Sequence, residues 1–288
     1  MEDYQNLKCF RLYKSSLPSK ETPVALGIDE AGRGPVLGAM VFGGFFCPIG
    51  AESEAILKGD IKVDDSKKLN ELAREYKFRQ LHDETLPFGL IADVVTPQYI
   101  SYKMLQRTKY NLNEMSHDTE ISIIRHVISA GYNLKEIYVD TVGVESKYEA
   151  KLKNLFPNIH IKVAKKADSL FPVVSAASIV AKVVRDNIIK CWSNSYGTSN
   201  IGSGYPGDAY TIRFLSENLH KIFGFPDIVR FSWRTASDML NDQKRSAIFN
   251  WYDDLEEEND ELSKKTVKKN LGNLPKSLAL TITNKIKL

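Results

Sequence analysis

An apolar run, Val24 to Ile28, ends in two adjacent acids, Asp29 and Glu30, followed at once by Ala31-Gly32-Arg33-Gly34-Pro35. No other stretch constrains the fold as much. The run is too short for a helix and reads as a buried strand. Adjacent carboxylates at the end of such a strand repel each other, so a cation has to offset them. A hard divalent ion such as Mg²⁺ suits carboxylate oxygens. The glycines let backbone N–H groups approach a substrate closely, and the Arg33 guanidinium matches a phosphate. Metal and phosphate recognition at one strand end point to phosphodiester chemistry. A dinucleotide-binding turn fits less well. Gly32-x-Gly34-x-x-x-Gly38 lacks the G-x-G-x-x-G spacing, and the residues after Gly34 read as strand.

Pro35–Phe46 reads as a second strand, close enough to form a hairpin with the first. Ser66 is the expected cap of an amphipathic helix reaching about Asp83. Phe88–Val95 follows as a third strand, then helical patterns over Pro97–Arg107 and Leu112–Ala130, the second closed by Gly131. Ile137–Asp140 and Ile159–Ala164 read as short buried strands, with a helix from about Lys147 to Phe156 between them. Pro172–Trp192 reads as a long helix with proline in its first position. Three early strands followed by alternating strands and helices predict an α/β chain, a mixed sheet with helices on its faces. Residues 1–20 read as a lead-in, 21–240 as the folded domain, and 241–288 as a charged extension that docks on a partner or stays partly disordered.

Asp140 closes Tyr138-Val139-Asp140-Thr141, and Asp168 lies a few residues beyond Ile159–Ala164. With Asp29 and Glu30, three segments place a carboxylate at a strand's C-terminal end, the edge where open α/β sheets form sites. Four carboxylates can hold two Mg²⁺ ions roughly 4 Å apart. Taken singly, Asp140 and Asp168 read more simply as turn or cap residues. Their joint placement with Asp29 and Glu30 favours a common centre. Along Pro172–Trp192 the polar stripe Ser175, Ser178, Lys182 and Arg185 fits a phosphate backbone and, equally, a solvated face. The opposite stripe, Val174, Ala177, Ala181, Val184 and Ile188, is apolar. The turn Ser203 to Asp208 presents Tyr205, which either meets a sugar or packs within the turn.

A net charge of +3 is too small for a generic polycation, so affinity for nucleic acid requires a local basic face. Three cysteines without a CxxC pair argue for a reducing compartment, nuclear or cytosolic, and against secretion or a zinc site. Residues 1–20 hold no apolar core of signal-peptide length, and no run approaches the roughly 18 apolar residues of a membrane span. The five histidines have no metal-ligand spacing, and no Gly-x-Ser-x-Gly elbow supports covalent serine hydrolysis.

Seven motifs occur in order: Gly27–Gly38, Asp64–Leu69, Asn-Leu-Asn-x-x-Ser-His-Asp-Thr at 111–119, Val-Asp-Thr-Val-Gly at 139–143, Lys165–Leu170, Val174–Lys182 and Gly202–Pro206. Together, over about Leu26 to Ala236, the chain resembles the type 2 ribonuclease H family. Val229 to Arg234 is similar to the catalytic A subunits of its eukaryotic branch. The resemblance implies a ribonuclease H-like fold, a five-stranded mixed sheet flanked by helices, with a C-terminal helical or irregular extension. It implies an endonuclease that cuts the RNA strand of RNA–DNA hybrids and cuts 5′ to single ribonucleotides in duplex DNA, leaving 3′-hydroxyl and 5′-phosphate ends. Mg²⁺ or Mn²⁺, two ions during catalysis, would be held by Asp29, Glu30, Asp140 and Asp168. Gly32, Arg33 and Gly34 would read the ribose 2′-hydroxyl, Tyr205 would pack on the sugar, and Lys67 would sit near the scissile phosphate. Lys182 and Arg185 would contact substrate from the long helix. The resemblance also implies two non-catalytic partner subunits, with roles in ribonucleotide excision, primer removal and mismatch repair. A single-chain enzyme of the same chemistry, a non-catalytic scaffold for nucleic acid, and a nucleotidyl transferase or recombinase on this fold are the alternatives.

Overall fold

The computed structural model describes residues 10–17, 19–63, 69–108, 110–141, 143–195 and 201–242. Lys67, Ser66 and residues 243–288 of the extension lie outside that range.

The centre is a six-stranded sheet in the order β1-β4-β3-β2-β5-β6. Its strands are β1 Phe10–Ser15, β2 Pro23–Ala31, β3 Met40–Pro48, β4 Gly89–Val95, β5 Asn133–Asp140 and β6 His160–Ala164. β1, β4, β3 and β2 pair antiparallel, while β2, β5 and β6 run parallel. Eight helices accompany it among the described residues: α1 Ala51–Ala55, continued by a π-helical turn Ile56–Asp60, α2 Glu71–Leu81, α3 Pro97–Met104, α4 Leu112–Ser129, α5 Glu145–Leu155, α6 Pro172–Ser195, α7 Ala209–Glu217 and α8 Arg234–Asn241.

The sheet has one strand more than the five expected. Phe10–Ser15, inside the expected lead-in, is an edge strand against β4, and its Arg11 pairs with Asp93. An edge strand is half exposed and carries little apolar signal of its own, so the sequence alone does not reveal it. The second strand starts at Met40 rather than Pro35, because residues 35–38 are bound into a loop by Gly204 and Ile228. Asn70 caps α2 by accepting from the Ala73 amide.

Each face of the sheet is covered. On one, Val41, Phe45, Ala92 and Val94 pack with Val174, Ala177, Val180 and Ala181 of α6. On the other, Leu26, Phe42, Phe46 and Ile91 pack with Met115, Ile123, Ile124 and Val127 of α4. Burying a side chain such as Phe45 or Leu26 contributes about 2 kcal/mol. The α6 helix lies unusually low on β3. A Cβ at Gly43 would stand 2.2 Å from the Ala177 carbonyl oxygen, so glycine is required for this approach. A third apolar cluster joins Val36, Leu37, Phe214, Leu215, Ile228 and Val229 and supports the segment after β2 from below.

Candidate active site

Parallel strands β2, β5 and β6 end at the same edge, so the acids at their ends converge. Asp140 is the last residue of β5. Asp168 sits in the 3₁₀ turn Ala167–Ser169 beyond β6, aimed by a left-handed Lys166 (φ 57°). Asp29, Asp140 and Asp168 offer oxygens that all lie within 4.8 Å of one another. The same turn ties two of these acids together, since the Ala167 amide donates to Asp140 Oδ1 at 3.2 Å.

Glu30 is not in this group. Successive side chains of a strand point to opposite faces. Asp29 therefore looks toward Ser178 and Lys182 of α6, and Glu30 toward Ser116 of α4. The Glu30 carboxylate still lines the same cleft. Its Oε1 accepts from Arg33 Nη1 at 3.1 Å and its Oε2 from Ser116 Oγ at 2.8 Å.

Burial raises the Asp29 carboxyl to about 7, and the charge of Asp140 adds to the rise. The Ser178 hydroxyl, the Glu30 amide and Lys182 oppose it. Three hard oxygen donors, mutually repulsive and largely buried, fit a divalent metal ion. Asp168 is 3% exposed, so such an ion would be reached through Asp29 and Asp140.

The cleft has a volume of about 420 Å³. Gly32, Arg33, Gly34 and Tyr205 form one wall, Lys182 and Arg185 of α6 another, with Arg74 and Asp186 beside them. Of the residues that the resemblance assigns to substrate, Gly32, Arg33, Gly34, Lys182, Arg185 and Tyr205 all line the cleft. Arg185 donates to Asp186 and to the Ser203 carbonyl. The stripe on α6 divides. Lys182 and Arg185 face the cleft, whereas Ser175 is fully buried with its hydroxyl on the Val63 carbonyl, so it cannot follow a phosphate backbone. Tyr205 is 51% exposed, and its ring closes over Gly34, where a Cβ would meet Cε1 at 2.9 Å.

The loop's shape depends on a residue that the sequence did not single out. Arg230 is wholly buried and donates to the carbonyls of Gly38 (2.7 Å), Arg33 (3.0 Å) and Gly32 (2.6 Å). Its guanidinium stacks on Trp233, 4.8 Å from the ring centroid, and Trp233 Nε1 donates to the Gly34 carbonyl at 2.9 Å. In a trans peptide the next N–H points opposite to the carbonyl. Holding carbonyls 32 and 33 from beneath therefore turns the Arg33 and Gly34 amides away from Arg230. Gly32 takes φ +82°, and a Cβ there would meet the Ala39 carbonyl at 2.6 Å. An arginine inside the apolar segment Ile228 to Phe231 was the available signal. Asn113 and Ser116, inside a motif with no role assigned, are the other residues missed; both hold Arg33.

An acidic centre at the C-terminal edge of a mixed α/β sheet, beside a glycine loop and a basic helix face, defines a class of metal-dependent enzymes of phosphodiester chemistry. The ribonuclease HII family profile matches residues 26–236, and the chain belongs to that family. The A subunit of ribonuclease H2 from Homo sapiens is 44% identical over 253 residues, covering 86% of this chain and 82% of its own. The corresponding A subunit from Caenorhabditis elegans is 47% identical over 245 residues, covering 82% and 80%. The crystal structure of ribonuclease H2 from Pyrococcus horikoshii OT3 superposes with a TM-score of 0.62 at 32% identity, over 75% of this chain and 96% of that one.

Proposed function

We propose that this ribonuclease H cuts the RNA strand of RNA–DNA hybrids and cuts 5′ to a single ribonucleotide in duplex DNA. The observation that carries this reading is the convergence of Asp29, Asp140 and Asp168 beside the Gly32–Gly34 loop and Tyr205. The 2′-hydroxyl distinguishes an RNA sugar from a DNA sugar. The Arg33 and Gly34 amides, presented by Arg230, can donate to that hydroxyl, and the Tyr205 ring can pack on the sugar. Lys182 and Arg185 neutralise the phosphates that follow.

Asp29, Asp140 and Asp168, with Glu30, would hold Mg²⁺ or Mn²⁺, two ions during turnover. When bound, such ions supply an activated water and stabilise the leaving 3′-oxygen. The chain's own part is to orient its carboxylates, through the Glu30 and Ala167 amides and the Ser116 hydroxyl. The products would be a 3′-hydroxyl and a 5′-phosphate.

The eukaryotic relatives are named as one subunit of their enzyme, which supports partner chains here, two in our reading, with residues 241–288 as the docking segment. Deleting 245–288 is expected to weaken that assembly and leave the site intact; unchanged assembly refutes the docking role. A nuclear place in ribonucleotide excision, primer removal and mismatch repair follows from the substrate. It is supported by Cys47 being a free thiol. Among the described residues no helix is long and apolar enough to cross a membrane.

The test is cleavage of a duplex carrying one embedded ribonucleotide, with an all-DNA control and an EDTA control. Cutting 5′ to the ribonucleotide, dependent on metal, is expected. Cutting of the all-DNA duplex, or none of either with metal and partners present, refutes the reading.

A further inference from the structure

We infer that Asn113 and Ser116 of α4 are positioning residues that fix Arg33 and, through it, the Glu30 carboxylate. Three polar groups close a ring, and Asn113 is tied to it through Arg33. Arg33 Nη1 donates to Glu30 Oε1 (3.1 Å) and to Ser116 Oγ (3.0 Å), and Ser116 Oγ donates to Glu30 Oε2 (2.8 Å). Arg33 Nη2 donates to Asn113 Oδ1. The donors and acceptors balance only if residue 116 carries a hydroxyl, which accepts one hydrogen bond while donating another. Ser116 is buried, so water is poorly placed to replace it.

The helix end is rigid enough to serve. Asn111 accepts from the Asn113 and Glu114 amides, and the Glu114 side chain accepts from the Asn111 amide, a complete capping box. Asn113 and Ser116, three residues apart, share one helix face. Met115, Ile123, Ile124 and Val127 anchor the helix to the sheet. The motif Asn-Leu-Asn-x-x-Ser thereby acquires a role. It cross-links the helix on one face of the sheet to the loop and acid at the end of β2. The same contacts leave Arg33 Nη1 committed to Glu30 and Ser116, so Arg33 acts here chiefly as a tie.

This inference rests on Glu30 being a metal ligand in the proposed function. Its test reads metal binding rather than cleavage. Mn²⁺ binding to the full chain is followed by electron paramagnetic resonance, with thermal unfolding in parallel. Removing a partner that orients a ligand weakens metal binding by about tenfold. Ser116→Ala is expected to do so and Ser116→Thr to restore it. Asn113 is exposed, so Asn113→Ala is expected to weaken Mn²⁺ binding with the unfolding temperature unchanged. In an Arg33→Ala background Asn113→Ala is expected to have no further effect. Unchanged Mn²⁺ affinity in both Asn113→Ala and Ser116→Ala, or an Asn113→Ala effect that persists without Arg33, overturns the inference. A parent chain that binds Mn²⁺ but, with its partners present, cuts no ribonucleotide-containing duplex refutes the function alone, because the binding comparison still decides the inference. A parent that binds no Mn²⁺ overturns both.

Discussion

Arg230 Nη2 donates to the carbonyl oxygen of Gly32 at 2.6 Å, joining residues 198 positions apart in the chain. The guanidinium has no acceptor and only donors, so it suits a site made of carbonyls. Burial pushes its pKa down to about 9, with the charge of Arg185 adding, yet leaves it protonated at neutral pH. Arg230 thus sets the direction of the peptide planes in the loop.

Arg230→Lys keeps the charge and loses the planar fork. With two or three carbonyls left unsatisfied, stability is expected to fall by about 2–4 kcal/mol. Cleavage at single ribonucleotides is expected to drop more than tenfold. Chemical denaturation and the embedded-ribonucleotide assay read the two effects. Parental stability in this variant would mean that the carbonyls do not depend on the fork.

Asp29→Asn separates function from stability. The rise from 3.8 to about 7 corresponds to about 4 kcal/mol held against the ionised carboxylate. The amide cannot ionise, so at pH 8 in EDTA the variant is expected to unfold at a higher temperature than the parent. Cleavage is expected to collapse by about a thousandfold or more, because a proposed metal ligand is gone. A variant both less stable and fully active contradicts the placement of Asp29.

The same group sets a pH dependence. Its pKa is raised on folding, so between 3.8 and about 7 the folded state binds more protons than the unfolded state. Stability in EDTA is then expected to fall as pH rises through that window and to level off above it. Glu120, fully buried and raised well above its ordinary value, acts in the same direction. Saturating Mg²⁺ is expected to recover the loss at pH 8, since metal takes the deprotonated form. Calorimetric scans at pH 5 and pH 8, with and without Mg²⁺, decide it; an EDTA sample more stable at pH 8 would be contrary.

Two glycines are expected to respond differently to alanine. At Gly43 the added Cβ meets the Ala177 backbone at 2.2 Å, so the long helix must lift from the sheet. A loss of about 3 kcal/mol is expected. At Gly34 it meets the tip of an exposed Tyr205 ring, which can swing aside. Gly34→Ala is expected to fold within about 1 kcal/mol of the parent and to lose preference for embedded ribonucleotides. Matched unfolding curves and a cleavage ratio for single ribonucleotide against continuous hybrid distinguish the two.

Much of this architecture could be read before folding. Val24 to Ile28, Phe88 to Val95 and Pro172 to Trp192 are long or apolar enough that local periodicity decides them. The acids were legible because each lies at or just beyond the end of a strand. Phe10–Ser15 was not, because an edge strand depends on its neighbour's hydrogen bonds rather than on its own apolar pattern. Ser175 was misplaced for a related reason. Polar spacing on a helix does not say whether a hydroxyl meets solvent or the Val63 carbonyl.

By itself the order of apolar runs, glycines and acids determined a mixed sheet and put Asp29, Glu30, Asp140 and Asp168 at or just beyond strand ends, because those preferences act over a few neighbouring residues. Only the tertiary structure decided which acids share a centre. β2 turns Asp29 to one face and Glu30 to the other, and a parallel register brings Asp140 and Asp168 to the first. It also decided what holds the loop: Arg230 from one side and Ser116 from the other. Such contacts span most of the chain, and no local rule encodes them.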